Sequence, residues 1–391
     1  MSPDAPSIGR AEGAGDIRIM QVRSKADLRR FIRFAWQVYA GDPAWVPPLN
    51  MDMMSVLDGR KHPFHQHADV ELFLAWRGDR LVGRIAAILN RAHIEFHEEK
   101  AGFFGLFETF DDAAVAGALL THVEAWLRQR GMQVVRGPMN LSTNDELWSP
   151  GVLIDGFDKP PFVLMGHTPR YYAPLLEGAG YVKSKDLLAY WYGGDEAPER
   201  FVRVADKLMQ RAGVRMRPLD MKQLQSDVAI VQDIYNSAWE RNWGFVPMTG
   251  AEIRHLAAQL KPVVNPTLCP LAFVGDEAVG FALALLDFNV PVKHMNGRLL
   301  PFGIFKMLWY RRQIRHVRIL TLGMKPQFRG RGIDMLLMLH IWRECAKLGI
   351  NSGECSWILE DNLPMRHVLE HDGGYPYKTY RVFEKPLAPS D

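Results

Sequence analysis

Lys325-Pro326-Gln327-Phe328-Arg329-Gly330-Arg331-Gly332 is the stretch on which the fold turns. Before it, Ile319 to Met324 has the apolar character of a strand; after it, Gly332 to Leu348 has the periodicity of a helix. Glycines at 330 and 332 let the backbone turn tightly and approach a ligand closely. A helix beginning there points its free N–H groups and the positive end of its dipole outward, which suits phosphate. The plainer reading is an ordinary strand-to-helix turn, since Gly-x-Gly alone is weakly specific.

Outward from the turn, the same half reads strand Val214 to Leu219, helices Gln223 to Trp239 and Gly250 to Leu260, and hairpin Leu271 to Asp287. Beyond it come strand Gly353 to Leu359 and a helix opened by Asn362 that ends at Gly373-Gly374. An N-terminal set repeats this order: strand Ile17 to Val22, helix Ala26 to Ala40, hairpin Val70 to Asn90, strand Gly102 to Glu108, helix Asp112 to Arg130, strand Gln133 to Gly137, helix Tyr171 to Gly178 and strands from Tyr181 to Tyr192. Letters repeat too, Ala75-Trp76-Arg77-Gly78-Asp79 aligning with Ala272-Phe273-Val274-Gly275-Asp276, and Leu175-Leu176-Glu177 with Val368-Leu369-Glu370. The expected fold is α/β, two tandem mixed-sheet halves. A leader occupies 1–16, an N-terminal domain 17–192, a join 193–200 where Gly-Gly-Asp-Glu-Ala-Pro breaks the strand pattern, and a C-terminal domain 201–391.

In the C-terminal half, Gln-x-x-Gly-x-Gly between a fourth strand and its helix resembles the acyl-CoA signature of the GNAT N-acyltransferase superfamily. Asn362-Leu363-Pro364-Met365 is similar to that family's second motif, beside the pantetheine arm. The resemblance implies acyl-CoA, acetyl or longer, as co-substrate, held by Leu322, Gly323 and Met324 of the strand, by Gln327, Phe328, Arg329, Gly330, Arg331, Gly332 and Ile333 of the turn, and by Asn362 and Met365. It also implies an oxyanion site on the backbone of a bulged fourth strand around Leu322 to Met324. One departure stands out: many relatives carry a tyrosine seven residues after the Asn to protonate the leaving thiolate, and here that position is Leu369. Tyr375, Tyr377 and Tyr380 follow closely, and Tyr377 is the candidate substitute, against a packing role for tyrosines in a terminal strand. In the N-terminal copy the turn reads Phe107-Glu108-Thr109-Phe110-Asp111-Asp112, with three carboxylates and no glycine pair, so only the C-terminal half is expected to hold CoA.

A transferase must also deprotonate its amine. Glu354 and Glu360, on the fifth strand of the C-terminal half and at its exit, are the candidate bases, with solvated acids on a strand edge as the alternative. Asn140, Ser142, Asn144 and Glu146 form a polar loop that either caps a turn or reaches across to the acceptor. Trp239, Trp243 and Phe245 join two helices that cover the acceptor site in GNAT folds, as lid or as core.

Length and composition agree with this organisation. The chain has 391 residues, 48% hydrophobic and 23% charged, which suits two globular domains and excludes a disordered chain. A net charge of +3 gives no reason to expect nucleic acid as a partner. Cys269, Cys345 and Cys355 lack metal-ligand spacing, so free thiols, no metal and a cytoplasmic location are expected. From Phe288 to Ile333 there are ten Lys and Arg and no Asp or Glu. Three of the ten suit CoA phosphates; the rest belong to an insertion over 288–318 that a minimal GNAT domain does not need. Within it Leu299 to Trp309 is nearly all apolar and is followed by Arg311, Arg312 and Arg315. Two readings stand: a segment dipping into an anionic inner-membrane surface, or a helix packed between the halves.

Taken whole, the chain resembles the bacterial GNAT acyltransferases of the ceramide synthase type, which implies acyl-CoA-dependent N-acylation of a primary amine on a long-chain amino lipid. An N-acetyltransferase of a soluble small amine and a non-catalytic acyl-CoA sensor are the alternatives.

Overall fold

The computed structural model describes residues 16–144, 150–194, 197, 199, 202, 203, 205 and 213–387. The expected leader, except Asp16, and half of the join over 193–200 lie outside them. The first half contains strands β1 (Ile17–Gln21), β2 (Ala68–Arg77), β3 (Arg80–Asn90), β4 (Ala101–Thr109), β5 (Val134–Gly137), β6 (Val152–Asp155) and β7 (Val182–Gly193). Its helices are α1 (Lys25–Arg33), α2 (Ala35–Val38), α3 (Asn50–Val56), α4 (Arg91–His97), α5 (Ala113–Arg128) and α6 (Tyr172–Gly178). The second half repeats the plan with β8 (Val214–Pro218), α7 (Leu224–Trp239), α8 (Gly250–Leu260), β9 (Pro270–Val274), β10 (Glu277–Leu286), β11 (His316–Met324), α11 (Ile333–Lys347), β12 (Ser352–Leu359), α12 (Leu363–His371) and β13 (Tyr375–Pro386). The insertion supplies α9 (Asn289–Met295) and α10 (Gly303–Tyr310) between β10 and β11.

Local chemistry explains the element ends. Ser24 and Asp27 form a capping box on α1, Thr249 and Glu252 another on α8, and Asp112 caps α5 by accepting from Ala114 N and Val115 N. β4, Ala-Gly-Phe-Phe-Gly-Leu-Phe-Glu-Thr, is buried along nearly its whole length, as a strand covered on both faces must be.

One mixed sheet spans both halves, in the order β1-β2-β3-β4-β5-β13-β7-β12-β11-β10-β9-β8. The last strand of each half has crossed over. β13 pairs with β5 of the first half, through Phe383 opposite Gly137, while β7 pairs with β12 of the second, through Glu354 opposite Trp191. β7 and β13 also pair antiparallel with each other, so the halves are laced by strand exchange.

Two parallel pairs place the clefts. β11 and β12 stay in register from His316 opposite Ser352 to Ile319 opposite Cys355, and diverge beyond that point. β4 and β5 do likewise after Phe103 opposite Arg136. In the first half the divergence is filled by the chain itself: Met139 N donates to Phe104 O at 2.7 Å, and a Cβ on Gly105 would lie 1.7 Å from Met139 O.

Among the described residues no helix is long and apolar enough to cross a membrane. α10 is not buried between the halves: its Met307 side is half-covered and the rest faces outward. Phe302, Phe305, Leu308 and Trp309 are exposed, together with Arg311, Arg312 and Arg315. Arg318, the last cation of the insertion, is fully buried.

Candidate active site

The cleft between the diverging ends of β11 and β12 passes through the sheet. On one face Met335 and Met338 of α11 and Met365 of α12 line it; on the other, Tyr235 and Trp239 of α7. Its β11 wall is Ile319 to Leu322 and its β12 wall Cys355 to Leu359. Against β10, Leu283 faces Thr321 and Ala284 faces Ile319, so a bulge leaves Leu320 without a ladder partner. The bulge thus lies upstream of the expected Leu322 to Met324, which pair regularly with Ala282, Phe281 and Gly280. Thr321 contributes a buried hydroxyl that has no hydrogen-bond partner among the described residues, in the wall of the cleft. A buried polar group left unpaired is costly, and a ligand group in the cleft would satisfy it.

Next to this wall lies the turn. Gly330 and Gly332 have φ of +73° and +77°, a backbone region that side chains rarely adopt. A Cβ on Gly330 would meet nothing within 4 Å, so open space borders the turn. Gly332 caps α11 with no side-chain hydrogen bond, leaving the first-turn N–H groups without a capping side chain. The corresponding helix α5 is closed by Asp112, which also pairs with Arg77 at 2.8 Å. The residues around β11 therefore fit a phosphate-bearing ligand in the second half, and those of the first half do not.

Not every expected binding residue faces that space. Leu322, Asn362 and Met365 line the cleft, with Asn362 capping α12 by accepting from Met365 N. Phe328 and Ile333 belong to the core under the turn, Gln327 is exposed, and Gly323 lies beneath the Trp239 indole. The cations are partly engaged: Arg329 donates to Ala238 O at 2.5 Å, Arg331 stacks over Phe328, and Lys325 pairs with Asp233 and Glu277 at 2.9 and 3.3 Å.

The two candidate bases part company. Glu354 is fully buried, and its carboxylate accepts hydrogen bonds from the Ser356 and Tyr377 hydroxyls. Burial raises its pKa, opposed by the Arg318 guanidinium 3.8 Å away. Arg318 donates to Ser356 Oγ at 2.8 Å, Ser356 O at 3.1 Å and Val163 O at 3.0 Å. Asp287 completes the group: burial first, then the nearby Glu354, pushes its pKa up to about 7, although it accepts from Val163 N and Asn289 N. Ser356 lines the cleft, so a proton taken there has a short path to Glu354. Glu360 is not brought to the cleft. It accepts from Lys183 at 2.5 Å and from Asp186 N at 3.1 Å, tying the end of β12 to β7, because strand alternation and the chain's exit turn it outward.

The polar loop divides as well. Asn140 accepts from Leu106 N at 3.0 Å inside the filled divergence of the first half, away from this cleft. Ser142 accepts from Asn144 N, and Asn144 takes the Tyr235 hydroxyl at 2.9 Å. Glu146 lies outside the described residues. Trp239, Trp243 and Phe245 all line the cleft, and their loop is fastened by the first half: Thr143 donates to Gly244 O at 2.8 Å and His97 Nε2 meets Phe245 O at 2.7 Å.

Tyr192 is a lining residue that sequence reading missed. It stands on β7, comes from the first half, and packs with Cys355 and Leu369, the position without the expected tyrosine. Burial, with Asp372 and Cys355 nearby, raises its pKa. Only the strand exchange brings it here, and no local pattern announces that.

No family model matches the chain. Two curated relatives do. A protein named bacterial ceramide synthase, from Caulobacter vibrioides, is 40% identical over 382 residues, 95% of this chain and 98% of its own. Protein YghO of Escherichia coli is 34% identical over 372 residues, 93% and 94% of the two chains. Among solved structures, a tandem GNAT protein from the clavulanic acid biosynthesis pathway superposes with a TM-score of 0.56 at 13% identity, covering 96% of this chain and 100% of that one. A GCN5-related N-acetyltransferase from Sphaerobacter thermophilus gives 0.53 at 15% identity, with 96% and 97% covered.

Proposed function

From the premise that this chain belongs to the family of the bacterial ceramide synthase, GNAT-type acyltransferases built from tandem halves, we propose that it transfers an acyl group from acyl-CoA to the primary amine of a long-chain, sphingoid-type lipid. One observation carries the acyl-CoA part: the strand divergence, the unpaired Thr321 hydroxyl and the uncapped, glycine-opened helix converge on one cleft. The CoA pyrophosphate sits on the backbone N–H groups at the start of α11, and the pantetheine arm follows the cleft past Asn362 and Met365.

Chemically the residues divide the work as follows. The amine nitrogen attacks the thioester carbon, and backbone at the Leu320 bulge, with the Thr321 hydroxyl, donates to the oxygen that becomes negative. The amine's proton passes to Ser356 Oγ while the Ser356 proton passes to the Glu354 carboxylate, whose pKa burial raises. As the carbon–sulfur bond breaks, Tyr192 gives its proton to the leaving sulfur and is reprotonated from solvent, to which Glu354 returns its own. Arg318 keeps Glu354 ionisable where burial disfavours its charge.

Support for a lipid acceptor comes from the insertion, where an exposed apolar helix is followed at its C-terminal end by the exposed Arg311, Arg312 and Arg315. Apolar side chains entering the headgroup region with cations at its edge suit peripheral contact with an anionic bilayer. The test is to incubate the purified protein with palmitoyl-CoA or acetyl-CoA and either sphinganine or a soluble amine, and to identify products by mass spectrometry. N-acylated sphinganine is expected. Product from the soluble amine alone would overturn the lipid acceptor, and no CoA-dependent product from any amine would overturn the whole reading.

A further inference from the structure

A second cavity, of about 320 Å³, lies beneath the insertion and takes no part in the chemistry above. Val46, Leu49 and Met165 of the first half and Leu256, Leu285 and Met307 of the second form much of its wall. Consecutive residues of one loop line the cavity and the cleft. Thr143 lines the cleft, its neighbour Asn144 lines the cavity, and Asn144 is pinned there, donating to Val246 O at 2.7 Å. The outer wall is α10. Met307 faces the cavity from it, while Phe305, Leu308 and Trp309 on the same helix are 67, 51 and 66% exposed. The insertion is braced in this position by the first half, with Trp36 Nε1 donating to Asn296 Oδ1 at 2.7 Å and Asn50 N to Gly297 O at 3.0 Å.

A largely apolar chamber whose outer wall is a helix with an exposed apolar surface, and which adjoins the loop Thr143-Asn144 that also lines the reacting cleft, has the dimensions of a site for a single aliphatic chain whose head group reacts. The geometry points to this cavity as the site of the amine acceptor's hydrocarbon tail. That assignment rests on the acyl-transfer reading above and names where its substrate is held. Position selects the amine's tail over the acyl chain: the cavity is lined by α8, on the sheet face that carries α7, whereas the phosphate turn opens α11 on the opposite face.

Titration of the full-length protein, without CoA, by primary alkylamines from hexylamine to octadecylamine tests it. Affinity should rise about fourfold per added methylene until the chamber is full. Leu256→Trp and Met307→Trp, each filling the chamber from a different wall, should weaken hexadecylamine at least tenfold and halt the rise at a shorter chain, with CoA affinity as the reference that stays constant. Unchanged hexadecylamine affinity in both folded variants overturns the assignment, as does a loss confined to palmitoyl-CoA. Hexadecylamine binding that is sensitive to both variants in a protein transferring no acyl group would leave the tail site standing and overturn the proposed function instead.

Discussion

Glu354 and Glu360 stand on the same strand and at its exit, and by composition either could serve as base. Their separation comes from β7, which covers Glu354 through Trp191 opposite it and draws Glu360 to Lys183. Glu354→Gln is expected to lower kcat by about 10²–10⁴ with CoA affinity retained, and to remove the rise of activity with pH that follows ionisation of the carboxyl. Glu360→Gln should leave kcat within about twofold; equal losses in both would show that neither acts as base, and steady-state kinetics over a pH range reads the difference. Asp287 makes a separate prediction. Its carboxyl is held up to about 7, well above the unfolded value, so the native state keeps a proton that the unfolded chain releases. Its stabilising share is therefore present at acid pH and is lost as pH rises through about 4 to 7. Asp287→Asn retains the oxygen that Val163 N and Asn289 N donate to. The variant should match the wild type in melting temperature near pH 4 and exceed it at pH 8; a gap that does not change with pH would contradict this. Neither the pairing of Glu354 with Tyr377 nor the burial of Arg318 was legible in the sequence, because both depend on which strands become neighbours.

At the scale of elements, the turn that opens α11 was the most legible feature, since two glycines and a helix start are local and need no partner. Its counterpart at α5 was legible for the same reason, through Asp111-Asp112. Gly330→Asp puts both a side chain and a negative charge into the open space beside a backbone of φ +73°, and acyl-CoA binding should be lost in calorimetry while the fold survives. The wild type should bind one CoA per chain, because α5 is capped and the first-half divergence is filled by Pro138 to Leu141; two sites would reverse that reading. The insertion was half legible. Its letters gave an apolar stretch with a basic end, and only the structure shows that the apolar residues face outward while Arg318 turns inward. Replacing Arg311, Arg312 and Arg315 by Gln should weaken sedimentation with anionic vesicles by about tenfold or more at low salt, given roughly 1 kcal/mol per cation near such a surface. Binding of wild type and variant that is equal at every salt concentration would remove the membrane contact from the proposal.

Over the whole molecule, repeated letters disclosed two related halves, but the strand exchange left no mark in them. Alternation along β7 or β13 says which residues face inward and is silent about which strand lies alongside. Since β13 completes the first half and β7 the second, neither half's sheet continues past its parallel pair without the other. The cleft depends on the same exchange: Tyr192 arrives on β7, and Thr143 and His97 of the first half fasten the loop bearing Trp243 and Phe245. A tandem protein with independent domains would melt in two steps, and its cofactor half would bind CoA alone. Laced halves behave differently, because loosening either one strips a strand from the centre of the other's sheet and exposes its core to water. Thermal unfolding followed by calorimetry should therefore give a single transition whose van't Hoff and calorimetric enthalpies agree, and addition of CoA should raise it as one unit. Two resolved transitions, with only the second moved by CoA, would mean that the exchanged strands contribute little to holding the halves together. In that event the first half would be a dispensable neighbour of the acyltransferase; a single shared transition makes it a structural component of the active site.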